Sequence, residues 1–233
     1  MKTLQLRGAA LALLLATSVG LATDAGRAGT LRTGAMRTGT LRGDTALDRY
    51  LANLATLRAN FSQNLTDARG KSLESLAGTL VVLRPGRFRW EVRPNAAVGD
   101  ATQLMVADGR NVWFYDRELE QVTVKPAASA LTATPATLLA GTVELRQVFS
   151  VTAAPRSQDL DWVLVKPLRV DAEFREARMG FAGAELRRMV IKDKLGQTAT
   201  FIFSAVVRNA PVAGAEVSFT PPAGVDVIGK PAS

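Results

Sequence analysis

Few side chains in this sequence are equipped for chemistry, and their spacing narrows what that chemistry is. The chain has no His and no Cys, which removes thiol nucleophiles, disulfide frameworks, most zinc sites and the usual general base at neutral pH. Asp116, Glu118 and Glu120 are of the type that holds a hard cation such as calcium. Arg117 sits among them and no cation-loop signature is matched, so they read as a solvated turn. Gly70-Lys71-Ser72 has the ending of a phosphate-binding loop, but Leu65 occupies the position where its first glycine is required. A serine triad would lack its His, and no Gly-x-Ser-x-Gly elbow is present. Arg187-Arg188 and a pI near 10.4 invite a nucleic-acid reading, yet the basic residues are dispersed rather than clustered on one stripe. No catalytic constellation emerges, and the chain reads as a non-enzyme without cofactor or metal. The enzymatic alternative is a hydrolase working through two carboxylates alone, such as a glycosidase.

What remains is Leu83-Arg84-Pro85-Gly86-Arg87-Phe88-Arg89-Trp90. A Leu/Val-rich strand ends at Arg84, Pro85-Gly86 turns the chain, and a second strand resumes at Arg87. From there the alternation is strict: Phe88, Trp90 and Val92 on one face, Arg87, Arg89 and Glu91 on the other. By itself this describes a half-buried antiparallel strand with a core face and a wet face.

The elements that must position this corner follow from the hydrophobic periods. Leu47, Leu51, Leu54, Leu57, Phe61 and Leu65 recur every three or four residues, which predicts an amphipathic helix over Ala46–Thr66 capped by Asp44 or Thr45. Strands are expected at Leu73–Leu83, Arg87–Val92, Gln103–Ala107, Asn111–Tyr115 and Gln121–Lys125, with Asp108-Gly109 as a hairpin turn. Thr134-Pro135 opens a short helix through Ala140, and Val143–Phe149 forms another. Strands resume at Trp162–Lys166, Ala172–Met179, Glu185–Lys192, Thr198–Val207 and Glu216–Phe219, and the end of the chain is extended coil. This is an α+β chain of nine to eleven antiparallel strands in one large meander, which coils because sheets twist. Helices from two separate places then cover its greasy face. Several strands are apolar on both parities, as in Val112-Trp113-Phe114, which is more than a one-faced sheet needs.

The N-terminus has the build of a secretory signal. Lys2 and Arg7 precede the apolar run Ala9–Ala16, and small residues follow to Ala22. The run is too short to span a bilayer. Cleavage near Ala22 removes two basic and no acidic residues, so a formal charge of +8 becomes +6. The domains are therefore a signal peptide (1–22), a flexible Arg/Thr/Gly leader (23–45) and a folded domain (46–230).

Read in order, Phe61-Ser62-Gln63, the Leu83–Trp90 corner, Val106–Asp116, Leu119-Glu120-Gln121-Val122, Thr134–Leu139, Asp193–Gln197 and Phe219–Val225 form an ordered series of landmarks. This series resembles the LolA family of periplasmic outer-membrane lipoprotein carriers. The resemblance implies an unclosed half β-barrel lidded by an N-terminal helix and a short central helical insert. It implies a monomer in the periplasm that binds acylated lipoproteins from an inner-membrane, LolCDE-like ABC-type release complex and delivers them to a LolB-like outer-membrane receptor. Arg84 matches the family's lid-gating arginine, and its fixed fork of donors suits several carbonyls at once. Phe88, Trp90 and Met105 fall on the implied acyl-binding wall, with Leu51, Leu54, Leu138 and Leu139 as lid contacts and Trp113 as a further candidate; Leu54 and Trp113 serve equally well as plain core. The alternative within the fold is a relative that binds other lipids or senses mislocalised lipoproteins.

Overall fold

The computed structural model describes residues 45–94, 101–127, 135–141, 145–169, 172 and 174–232. The expected signal peptide and almost all of the leader lie outside these residues. A short helix, α1 (Ala46–Ala52), leads into strands β1 (Thr56–Thr66), β2 (Ser72–Leu83), β3 (Arg87–Pro94), β4 (Gln103–Asp108), β5 (Asn111–Asp116) and β6 (Gln121–Pro126). Helices α2 (Pro135–Ala140) and α3 (Leu145–Val148) interrupt the pattern. Strands β7 (Phe149–Ser157), β8 (Leu160–Pro167), β9 (Phe174–Ala182), β10 (Glu185–Asp193) and β11 (Thr198–Arg208) follow, then a 3-10 turn (Gly214–Val217) and β12 (Asp226–Ile228).

All twelve strands belong to one sheet, ordered β12-β6-β5-β4-β3-β2-β1-β11-β10-β9-β8-β7. The expected single meander is instead two, joined where β1 pairs with both β2 and β11. The sheet does not close on itself, because β7 and β12 are its two ends. It is mixed rather than wholly antiparallel, since β12 runs parallel to β6.

The predicted helix over Ala46–Thr66 stops at Ala52, and its second half is β1. Leu57, Phe61 and Leu65 are four residues apart, a spacing that suits a helix but is also even and so marks one face of a strand. Ala59 and Gln63 fill the intervening inward positions, and Asn60, Ser62 and Asn64 face out. β7 was not expected: beyond Val151 its residues (Thr-Ala-Ala-Pro-Arg-Ser) are mostly exposed, as befits a strand at the end of a sheet, and no apolar alternation is left to read. The strand expected at Glu216–Phe219 is a 3-10 turn, because the Glu216 side chain accepts the Ala213 N–H at 2.8 Å and meets Arg58 at 2.6 Å. The extended coil at the end of the chain supplies β12.

Apolar side chains gather on both faces of the sheet. The inner cluster joins Leu47, Tyr50 and Leu54 of the α1 region to Phe61, Phe88, Trp90, Met105, Leu138 and Leu139. The outer one holds Leu104, Val106, Trp113, Val122 and Val124 under Tyr115, Phe219 and Val225. This accounts for the strands that are apolar on both parities: their second face is roofed by the C-terminal segment. Trp113 and Tyr115 each meet Phe219 with ring centroids 5.8 Å apart. Among the described residues no helix is long and apolar enough to cross a membrane.

Candidate functional site

The Pro85-Gly86 corner places Arg84 at the end of β2, where three parts of the chain converge. Its backbone N–H donates to Ala55 O (2.9 Å), and its guanidinium Nη1 donates to Leu51 O (2.6 Å) and Leu54 O (3.2 Å) at the exit of α1. Leu51 O also accepts the backbone N–H groups of Asn53 and Leu54, so the guanidinium adds a further donor where α1 ends, and a fork of donors is suited to reach two carbonyls at once. Two residues on, Gly86 N–H donates to Ala140 O (2.9 Å), the last residue of α2. Burial lowers the Arg84 pKa from its ordinary value, a measure of how far the charge has been drawn from water.

Gly141 completes this junction and was not singled out in the sequence. Its φ of +62° ends α2 in the left-handed region, and a Cβ there would overlap the Arg84 guanidinium. Glycine thus lets the cation lie flat against the end of α2. The Ala140-Gly141 pair after a helical run is a readable C-terminal stop, but nothing in it announces an arginine 57 positions earlier (141 minus 84).

A second arginine holds the other end of α1. Thr45 and Asp48 form a capping box, with Asp48 Oδ2 accepting Thr45 N–H (2.9 Å) and Thr45 Oγ1 (2.7 Å), and Thr45 Oγ1 accepting Asp48 N–H (3.2 Å). Arg146 of α3 donates to the same oxygen at 2.6 Å and to Val151 O at 3.2 Å. Burial raises the Asp48 pKa, but the bonds from Thr45 and Arg146 outweigh it and leave the carboxyl below its ordinary value. A depressed folded-state pKa gives stability that is present above the unfolded carboxylate value and disappears as pH falls through the folded one. Asp48→Asn is therefore expected to cost about 1 kcal/mol at neutral pH, and the gap to the parent should close in strong acid. Urea unfolding at several pH values checks both halves of that statement.

Beneath the two latched helices lies the inner face. Phe88 and Trp90 are 1% and 5% exposed and point inward, as their alternation requires. Trp90 packs with Phe61 (centroids 4.9 Å) and Phe201 (5.5 Å), and those two rings meet each other at 5.9 Å. Met105, Leu54, Leu138 and Leu139 are buried in the same cluster, and Leu51 packs on its margin. The structure thus brings together Arg84 and seven of the eight expected apolar contacts. Trp113 is the exception. It lies in the outer cluster, its Nε1 donating to Asp108 Oδ2 at 2.7 Å, because its neighbours Val112 and Phe114 take the inward positions. Gly78 of β2 leaves room on the inner face for the Phe61 ring, whose Cε1 would be 2.8 Å from a Cβ at that position.

Two of the stretches considered for other chemistry are ordinary turns. Asp116 Oδ1 accepts the N–H groups of Glu118 (3.0 Å) and Leu119 (3.1 Å). Gly70-Lys71 belongs to the β1–β2 turn, in which Asp67 Oδ1 accepts the N–H groups of Arg69 and Lys71 at 2.9 Å each.

Residues 52–220 match the family model described as outer membrane lipoprotein carrier protein LolA. The chain is 39% identical over 184 residues to an outer-membrane lipoprotein carrier protein of Dechloromonas aromatica (strain RCB), covering 79% of this chain and 86% of that one. It is 35% identical over 188 residues to the protein of the same description from Methylobacillus flagellatus, covering 81% and 89%. A solved LolA superfamily protein from Nitrosomonas europaea is a distant likeness, with a TM-score of 0.43 and 9% identity over 75% of this chain and 96% of that one. On the family match and the two curated relatives, this chain belongs to the LolA family of outer membrane lipoprotein carrier proteins.

Proposed function

We propose that the protein is a periplasmic carrier that shelters the acyl chains of lipoproteins on the inner face of its sheet, with Arg84 as the latch of the lid. One observation carries the reading: a half-buried guanidinium that ties the exit of α1 to the end of β2, over a face of packed aromatic and aliphatic side chains. Acyl chains exposed to water cost ~0.8 kcal/mol per methylene. Non-directional contact with such a face lowers that cost without demanding a tight shape match, and this suits a ligand that must be given up again. The closed lid fills the inner face with Leu138 and Leu139, so cargo favours an open state and the Arg84 bonds favour the closed one. Cargo comes from an inner-membrane ABC-type release complex of the LolCDE kind and passes to a LolB-like receptor. The secretory build of residues 1–22 supports the periplasmic setting, and the absence of a catalytic constellation from the sequence supports a carrier over an enzyme.

The three tryptophans provide the test. Trp90 faces inward, whereas Trp113 lies in the outer cluster and Trp162 is covered by Arg178 with its Cζ 5.1 Å from the ring. A lipoprotein carrying brominated acyl chains is expected to quench a variant that keeps Trp90 alone (Trp113→Phe, Trp162→Phe), and to leave one that keeps Trp113 alone unquenched. Quenching of Trp113 only would move the acyl chains to the outer face and sink the proposal. Capture of free lipids without lipoproteins would favour a lipid-binding relative of the same fold.

A further inference from the structure

Three side-chain polar atoms are buried without a hydrogen-bond partner among the described residues, Glu74 Oε2, Tyr50 Oη and Arg208 Nε, and the last two belong to one stacked pair. Tyr50 lies near the end of α1, is 2% exposed, and leans on Phe181 with ring centroids 5.4 Å apart. The Arg208 guanidinium lies over the ring, Cζ 4.8 Å from its centroid. Arg208 Nη1 donates to Ala184 O at 3.0 Å in the β9–β10 turn, which fixes the fork, while Nε stays buried. Burial pushes the Tyr50 phenol up to about 12, with Arg208 pulling down and Glu185 pushing up, so the hydroxyl is a neutral O–H donor at any physiological pH.

Both groups can donate, and both lack an acceptor. Leaving a hydroxyl buried and unpaired is costly, and phenylalanine would fill the same space without that cost. The missing acceptor is uncharged: the Arg208 charge already rests on the Tyr50 ring, and Glu185 close by repels an anion. We propose that Tyr50 Oη and Arg208 Nε form a polar anchor for the ester carbonyl oxygen at the head of a bound acyl chain. This rests on the carrier reading and deepens it, since an ester carbonyl is the uncharged acceptor that an O-acyl chain brings with it. The apolar face then holds the chain while the pair sets how deep it slides.

The experiment compares dioctanoyl phosphatidylcholine with its dioctyl ether counterpart, which has the same head group and chains but no carbonyls, binding to the full chain by calorimetry. The parent protein is expected to bind the ester about tenfold more tightly. Tyr50→Phe should erase most of that preference, change ether affinity by less than about twofold, and leave the melting temperature the same or higher. Equal affinity for ester and ether in the parent, or a preference that survives Tyr50→Phe, overturns the anchor while the carrier reading stands. Binding of neither lipid also overturns the anchor as a site for lipid esters, and leaves the carrier reading to the tryptophan quenching with lipoprotein.

Discussion

Replacing Arg84 by leucine is expected to leave a folded protein that takes up lipoprotein and hands it on at least about tenfold more slowly. The guanidinium donates two charge-assisted bonds to Leu51 O and Leu54 O, and bonds of this kind contribute roughly 1.5–3 kcal/mol each. In the variant these carbonyls are left without the Arg84 donors, and the closed lid loses both bonds. A loss of about 2–3 kcal/mol from one side of a two-state equilibrium shifts it some 30–150-fold toward the other. The open state is the one that cargo prefers, so uptake survives and affinity rises, while the closing step that helps expel cargo is weakened. β2 and β3 do not depend on the guanidinium for their ladder, so far-ultraviolet circular dichroism should be unchanged. Transfer of a fluorescent lipoprotein to a membrane-bound acceptor is the measurement, and wild-type rates would rule out the latch.

The largest effect on stability is expected from Trp90→Ala, at roughly 3–5 kcal/mol. Trp90 meets both Phe61 of β1 and Phe201 of β11, so its ring spans the seam between the two meanders. Truncation leaves a cavity bordered by two aromatic side chains that are themselves fixed by β1–β11 pairing, Phe61 opposite Phe203 and Gln63 opposite Phe201. Such a site cannot collapse easily, and the cost stays near the upper part of the range. Urea unfolding with an unchanged m-value is the expected signature. A loss below about 1 kcal/mol would mean that the inner face is loosely packed here.

How far the sequence could be read depended on how local each cause was. The hairpins at Pro85-Gly86 and Asp108-Gly109 were legible because their turn chemistry lies within a few residues: Asp108 Oδ1 accepts the N–H groups of Arg110 and Asn111 at 2.8 Å each. Phe88 and Trp90 were placed inward by alternation alone. The Arg84 role could be named only by resemblance, since an arginine before a turn is ordinarily an exposed charge. β1 was misread because apolar residues four apart satisfy both periods, and its ladders to β2 and to β11, the latter more than 130 residues away, decide between them. The Asp48–Arg146 pair, 98 positions apart, and the Tyr50–Arg208 stack are products of the fold with no local signal. Trp113 was partly legible. Its pairing opposite Val106, with Met105 opposite Phe114, follows from the two-residue period once the Asp108-Gly109 turn is fixed.

The junction of β1 with β11 also governs the order in which the molecule can be completed. Among the described residues β1 is the first strand to be made, and one of its two neighbours is nearly the last. A chain emerging N-terminus first therefore presents Leu57, Phe61 and Leu65 with one flank bare until residue 198 and beyond have been delivered. Until that closing strand arrives, the apolar stretch of β1 is exposed along one edge, and an escort that covers it would keep the unfinished sheet from pairing with another chain.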